Sequence, residues 1–81
     1  MGMSTKPNQS VLYKRVPTFL QEMREGANFT QRQLAAKVKM PQWWVARIET
    51  GSRRVDVAEF VLWCEGCGKD PAAALTALRR A

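Results

Sequence analysis

The segment TQRQLAAKVKMPQWWVARIETGSRR, residues 30–54, decides the fold of this chain. It predicts two short helices joined by a tight turn at Lys39-Met40. Thr30 and Gln33 form the T-x-x-Q pattern of a capping box, which indicates the start of the first helix. The second helix is predicted from about Gln42 to Thr50, and a glycine follows it as the residue that ends the helix.

The second predicted helix has two different faces. At about 100° per residue, one side is apolar and would be buried in a core: Pro41, Val45 and Ile48. The opposite side would expose an aromatic ring, a guanidinium and a hydroxyl: Trp43, Arg47 and Thr50. A small domain rarely exposes a tryptophan beside an arginine unless something binds there.

Positive charge is concentrated in the same segment. Six basic residues and one acid lie between Gln31 and Arg54, whereas the whole chain has 13 basic and 7 acidic residues and a formal charge of +6. The excess therefore lies mostly beside the two-faced helix, which indicates a polyanionic partner.

Length and composition predict one small globular domain. The chain has 81 residues, and its hydrophobic content of 46% is ordinary for a folded protein. No apolar run approaches the roughly 20 residues that span a bilayer, and no signal peptide is recognisable. We therefore expect a cytoplasmic protein without a membrane partner.

The residues before this segment predict an arm and a helix. Residues 1–9 are polar and lack apolar periodicity, so we expect a flexible arm followed by a domain over residues 10–81. Apolar residues at helical spacing predict a helix from about Ser10 to Glu25. Pro17 interrupts this pattern, so the helix either starts near Pro17 or bends there.

Two further helices are predicted after the segment. Asp56 and Glu59 form a start signal, and Asp70 followed by Pro71 places an N-cap before a proline at the first helical position. No stretch alternates with period two for long enough to predict a strand. The fold class expected is therefore all-α, with five short helices.

A helix, a short turn and a second helix with an exposed polar face fit the major groove of DNA. Gln42 is suited to adenine and Arg47 to guanine. Trp43 suits either a thymine methyl group or the sugar-phosphate backbone, and Thr50 a phosphate. These assignments follow from side-chain chemistry and from position along the predicted helix.

The chain resembles the Cro/C1-type (lambda-repressor-like, XRE) helix-turn-helix family. The matching features are TQRQLA, then PQWWVARIETGSRRVD, then a helix that ends before GKDP, and they extend over residues 16–78 in the family's order and spacing. This resemblance implies a five-helix lambda-repressor-like domain that binds double-stranded DNA, with the helix-turn-helix at about residues 30–50.

The resemblance also implies roles for particular residues. Base contacts fall on Gln42, Trp43 and Arg47, and a structural ion pair joins Arg24 to Glu49. The expected phosphate contacts lie at the start of the first helix, in the turn, at the end of the second helix and in the loop after it: Gln31, Arg32, Lys39, Thr50, Ser52, Arg53 and Arg54.

Two positions depart from the family's pattern. Lys39 stands where a glycine is frequent in the turn, so it must adopt a left-handed conformation or the turn must differ. Pro41 stands where a capping serine or threonine is usual, although proline is tolerated at a helix start.

Cys64 and Cys67 are the only cysteines, and the chain has no histidine. We expect both thiols to be structural, because a free cysteine near a helix end is usually buried. A redox pair or half of a zinc site is the alternative. No metal or cofactor is expected. Catalytic activity is not expected either, because no acid, base and nucleophile converge.

The sequence thus predicts a sequence-specific transcriptional regulator, of the small dimeric bacterial or phage repressor type. It would read an inverted-repeat operator as a homodimer, with the last helix as the expected dimer contact. The alternatives are an antitoxin-type autoregulator, a protein-interaction adaptor anchored by Trp43 and Trp63, and a redox or zinc sensor. Phe60, Leu62 and Trp63 cannot all be buried on one helix face, so at least one is expected at an interface.

Overall fold

The computed structural model describes the backbone of residues 5–81 and the side chains from residue 11 onwards. Five helices follow one another along the chain: α1 (Thr5–Gly26), α2 (Gln31–Val38), α3 (Gln42–Thr50), α4 (Val57–Gly66) and α5 (Pro71–Arg80). Residues 5–81 contain no strand. The prediction of an all-α, five-helix fold is confirmed. No helix within this range is long and apolar enough to cross a membrane.

Helix α1 begins at Thr5, earlier than the expected start near Ser10. The second half of the arm predicted for residues 1–9 is therefore helical, while residues 1–4 lie outside the described residues. Pro7 lies in the first turn of α1, where a backbone N–H has no helical acceptor, so a proline there removes no hydrogen bond.

Pro17 lies inside α1, and the helix continues on both sides of it. Of the two alternatives for Pro17, the one in which the helix starts there is wrong. The proline ring lies near the end of α3, since a Cβ atom placed on Gly51 would be 3.6 Å from its Cγ atom. Contacts between α1 and α3 offset part of the cost of an interior proline.

The helix ends follow the capping signals in the sequence. Thr30 and Asp56 each form a complete capping box with the residue three positions later. The Asp70 carboxylate accepts a hydrogen bond from the Ala73 amide at 2.9 Å, and Pro71 is the first residue of α5. Gly51 ends α3 in the left-handed region at φ 83°. These polar residues satisfy backbone donors that the helices leave unpaired.

The turn between α2 and α3 uses a left-handed lysine. Lys39 has φ 60° and ψ 41°, the conformation that the sequence required if the turn kept its usual shape. The Met40 amide donates to the Ala35 carbonyl at 2.9 Å, which closes the end of α2. α3 begins without a side-chain cap, because Pro41 occupies the N-cap position.

All five helices contribute side chains to one core. Two tryptophans are completely buried there, Trp44 from α3 and Trp63 from α4, with ring centroids 5.6 Å apart. Each indole N–H has an acceptor: Trp63 donates to the Leu20 carbonyl at 3.1 Å and Trp44 to the Glu59 carboxylate at 3.3 Å. This core holds α3 with one fixed face outward.

Candidate nucleic-acid interface

The buried face of α3 determines which of its residues reach solvent. Trp44, Val45 and Ile48 are at most 1% exposed. Trp43, one position before Trp44, is 52% exposed. At about 100° per residue, Trp43 lies about 150° from the direction on which Trp44, Val45 and Ile48 centre, so burial of those three turns it outward.

The three residues predicted to contact bases all lie on the outer side of α3. Gln42 is the first residue of the helix and is exposed, as is Arg47 in its middle. The Arg47 guanidinium lies over the Trp43 ring, with its Cζ atom 5.1 Å from the ring centroid. This distance is within the range of a cation–π contact.

A bonded network ties α1, α2 and α3 together behind this surface. The Arg24 guanidinium donates from Nε to Glu49 at 2.6 Å and from Nη2 at 3.0 Å. A third group, the Gln31 side-chain amide, donates to the same carboxylate at 2.9 Å. The hydrogen bonds to Glu49 raise the pKa of Arg24, so its guanidinium stays charged.

Gln31 therefore has a partner within the protein. It is the first residue of α2 and is half-buried. Its bond to Glu49 connects the start of α2 to the last turn of α3. A side-chain amide has two N–H groups, and one bond to Glu49 leaves the second for a phosphate oxygen. The structure thus places Gln31 beside the last turn of α3.

The hydroxyls of Thr50 and Ser52 close the end of α3. They lie 3.1 Å apart, and both contact the Arg47 carbonyl, at 3.1 and 3.4 Å respectively. Their bonds to a carbonyl satisfy an acceptor at the helix terminus. Both residues are exposed, so a phosphate would compete with this carbonyl for their protons.

Arg53 is held by Glu59 of α4. Its Nη1 and Nη2 atoms donate to the two carboxylate oxygens at 3.1 and 3.0 Å. The hydrogen bond from Arg53 lowers the pKa of Glu59 and raises the pKa of Arg53. Arg53 is therefore already paired with a carboxylate through two nitrogen atoms. A phosphate that binds Arg53 must share the guanidinium with Glu59 or displace Glu59.

Arg54 is held by an aromatic ring from α1. Its Cζ atom is 4.2 Å from the centroid of the Tyr13 ring. The Tyr13 hydroxyl accepts a hydrogen bond from the Val55 amide at 2.8 Å, so the same side chain holds the loop backbone and the arginine. A stacked guanidinium keeps its donor edge open to a phosphate.

Tyr13 and Glu59 are the residues that sequence reasoning missed. Glu59 carried a signal only as a helix-capping residue, and its bonds to Arg53 and Trp44 depend on tertiary packing. Tyr13 carried no signal, because it lies 41 positions before Arg54. The remaining predicted phosphate contacts, Arg32 in α2 and Lys39 in the turn, are exposed.

The two cysteines lie in the core. Cys64 and Cys67 are free and buried, and burial raises the pKa of the Cys64 thiol to about 11 and also raises the pKa of Cys67. A thiol with a raised pKa is protonated at neutral pH and reacts slowly. Among the described residues, no group of three or more histidine, cysteine or acidic side chains could hold a metal ion.

Trp63 is not available as an interaction anchor. It is completely buried and bonded to α1, so an adaptor that uses Trp43 and Trp63 together is excluded. On the same helix Phe60 is also buried and Leu62 is half-buried. The prediction that at least one of the three lies at an interface therefore falls on Leu62 and stays a prediction, because Phe60 and Trp63 are part of the core.

Comparison with known proteins agrees with this geometry. A family model described as a helix-turn-helix domain matches residues 18–78 of the chain. The chain belongs to the XRE-type helix-turn-helix family. A solved structure described as an XRE-family like protein from Pseudomonas syringae pv. tomato str. DC3000 is 39% identical, with a TM-score of 0.88 over 95% of this chain and 94% of that one. No curated protein matches the sequence.

Membership in this family makes the protein a DNA-binding regulator. In this domain α2 and α3 are joined by the short turn at Lys39-Met40. The exposed face of α3 carries Gln42, Trp43 and Arg47, and basic residues of α2, the turn and the following loop lie on either side of it in the sequence.

Proposed function

We propose that this protein is a sequence-specific transcriptional repressor that binds double-stranded DNA with α3 in the major groove. One observation carries the proposal: α3 exposes Trp43 stacked with Arg47 while its opposite face is completely buried. A helix in the major groove needs a fixed orientation, because only a defined set of side chains can reach base edges.

In this proposal two groups of residues have different roles. Gln42, Trp43 and Arg47 contact bases and determine the preferred sequence. Phosphate contacts provide most of the affinity and come from α2, the turn, the last residue of α3 and the loop that follows it: Gln31, Arg32, Lys39, Thr50, Ser52, Arg53 and Arg54.

The proposed repressor is a homodimer on an inverted-repeat operator, with recognition helices about 34 Å apart in successive grooves. An apolar surface on α4 and α5 supports a dimer. Val57 is 83% exposed and Leu75 is 56% exposed, and with Val61 and Pro71 they line a concavity of about 280 Å³. Leu12 of α1 extends this surface past Leu75. Repression follows if the operator overlaps a promoter and excludes the polymerase.

The test is selection of bound duplexes from a random pool, followed by titration of the selected operator at several salt concentrations. Replacing Arg47 with alanine should cost about 1–3 kcal/mol and relax one operator position. Replacing Arg54 with alanine should weaken all sequences alike and flatten the slope of log affinity against log salt by about one.

Arg80→Ala is the matched control, because it removes the same charge from exposed α5 instead of the recognition helix. It should change affinity much less than either variant. If the pool yields no enriched sequence and the protein binds no duplex at low salt, the proposed function is wrong. If Arg47→Ala leaves affinity and preference unchanged, the assignment of α3 as the reading helix is wrong.

A further inference from the structure

Trp43 and Arg47 form a single unit on the surface of α3. They are four residues apart, so their side chains lie one above the other on the helix. The guanidinium lies over the indole ring at 5.1 Å, and the indole is about half exposed. The stack restricts the rotamers of both long side chains before any ligand arrives, which lowers the entropy lost on binding.

The hydrogen-bonding edge of Arg47 is open. Between Val11 and Ala81, no carboxylate lies within ion-pair distance of its guanidinium, whereas Arg24 and Arg53 each bind a glutamate. The guanidinium lies over the Trp43 ring, and its N–H groups donate to no residue between Val11 and Ala81. A planar group with open donors suits bidentate bonding to a base edge.

The chemistry of the major groove assigns each half of this unit a partner. The guanidinium edge matches the O6 and N7 acceptors of guanine, and the exposed indole matches the only apolar group in the groove, the thymine methyl. Neighbouring base pairs are about 3.4 Å apart along the duplex, and the 5.1 Å between the Arg47 Cζ atom and the Trp43 ring centroid lies between one and two such steps, so the two side chains can reach adjoining base pairs.

We propose that Trp43 and Arg47 together read two adjoining base pairs, a guanine bound by Arg47 and a neighbouring thymine whose methyl group contacts Trp43. This inference rests on the proposed function, and it identifies the two operator base pairs that would face the middle of α3. Trp43 is thereby a specificity-determining residue whose contribution depends on Arg47, instead of a residue that packs on the sugar-phosphate backbone.

A cycle that combines protein and DNA changes tests the proposal. In the selected operator, each thymine next to a guanine is replaced in turn by deoxyuridine, which lacks only the methyl group. At one such position the native protein should lose about fourfold in affinity, the value of one buried methyl group. Trp43→Ala should show nearly equal affinities for the two operators, because the contact is already absent.

Two further variants separate the parts of the unit. Trp43→Phe keeps an aromatic ring and should keep part of the discrimination against deoxyuridine. Replacing the adjoining guanine by 7-deazaguanine should weaken the native protein but change Arg47→Ala little. Gln42→Ala is the matched control on the same helix; it should lower affinity while the cost of removing the methyl stays at about fourfold.

Different failures lead to different conclusions. If the operator is well defined but contains no thymine beside a guanine, the reading pair is wrong and the proposed function stands. The same holds if methyl removal costs as much in Trp43→Ala as in the native protein, which would place the tryptophan on the backbone. Absence of any duplex binding would overturn both the proposed function and this inference. Since Trp43 is exposed, unchanged far-ultraviolet dichroism of its variants shows that they fold.

Discussion

At the scale of single residues, Glu49 shows how α3 is held in place. Its side chain is 3% exposed, and it accepts two hydrogen bonds from Arg24 and one from Gln31. Burying a carboxylate costs free energy, which these three hydrogen bonds offset. The network therefore fixes the last turn of α3 against α1 and α2, and with it the direction of the exposed face.

Removing one member of this pair should be more damaging than removing both. Glu49→Leu leaves the buried Arg24 guanidinium with only the exposed Glu25 carboxylate at 3.8 Å and the Phe29 carbonyl as partners, and we expect a loss of about 3–5 kcal/mol in the free energy of unfolding. The double variant Arg24→Met with Glu49→Leu should be clearly more stable than Glu49→Leu alone. Urea denaturation of the variants measures this, and additive losses would contradict the coupling.

The two adjacent tryptophans were correctly separated by helical periodicity. A 3.6-residue repeat turns Trp43 outward once Trp44, Val45 and Ile48 are buried, and this is local information. The partners of the outer residues are not local. Glu59 of α4 holds Arg53, and Tyr13 of α1 holds Arg54, so these contacts depend on how the helices pack. The pattern within α3 could be predicted, whereas the restraints on the following loop could not.

At the scale of helices, capping residues predicted most boundaries because their hydrogen bonds are local. Thr30, Asp56 and Asp70 each bond to a backbone amide three residues later. Helix α1 was harder, since Pro17 has a high intrinsic cost within a helix. The packing of α1 against α3 and α5 offsets this cost, and no local pattern contains that information.

The close approach of α4 to α2 depends on a glycine. A Cβ atom on Gly66 would lie 2.5 Å from the Val38 Cγ1 atom and 3.2 Å from the Leu34 Cδ1 atom. We expect Gly66→Ala to destabilise the fold by about 1–3 kcal/mol, because overpacking outweighs the gain in helix propensity.

Gly26→Ala is the matched control for this prediction. Gly26 also ends a helix, but a Cβ atom there would have no neighbour within 4 Å. This variant should be neutral or more stable by up to about 1 kcal/mol. Urea denaturation compares the two, and equal stabilities would show that α4 moves away from α2 at little cost.

At the scale of the whole molecule, charge and apolar surface lie on different helices. The basic excess is in α2, α3 and the loop after α3, whereas exposed Val57 and Leu75 lie on α4 and α5. This division suits a protein with two partners, a polyanion at one surface and an apolar surface at the other. Dimer formation and DNA contact can therefore be tested separately, because a substitution on α5 should leave the contacts of α3 unchanged.

The apolar surface around Leu75 leads to a prediction about assembly. Leu75→Glu places a charge at its centre, and burying an unpaired carboxylate at a dimer contact is unfavourable. We expect this variant to sediment as a 9.2 kDa monomer at concentrations where the native chain has twice that mass, and to bind the full operator more weakly.

Ala77→Glu introduces the same charge at an exposed position about 200° around α5, and it should retain the mass of the native dimer. Dissociation by Ala77→Glu alone would place the contact on the opposite side of α5. A native chain that stays monomeric while saturating both half-sites would instead mean that it reads each half-site independently.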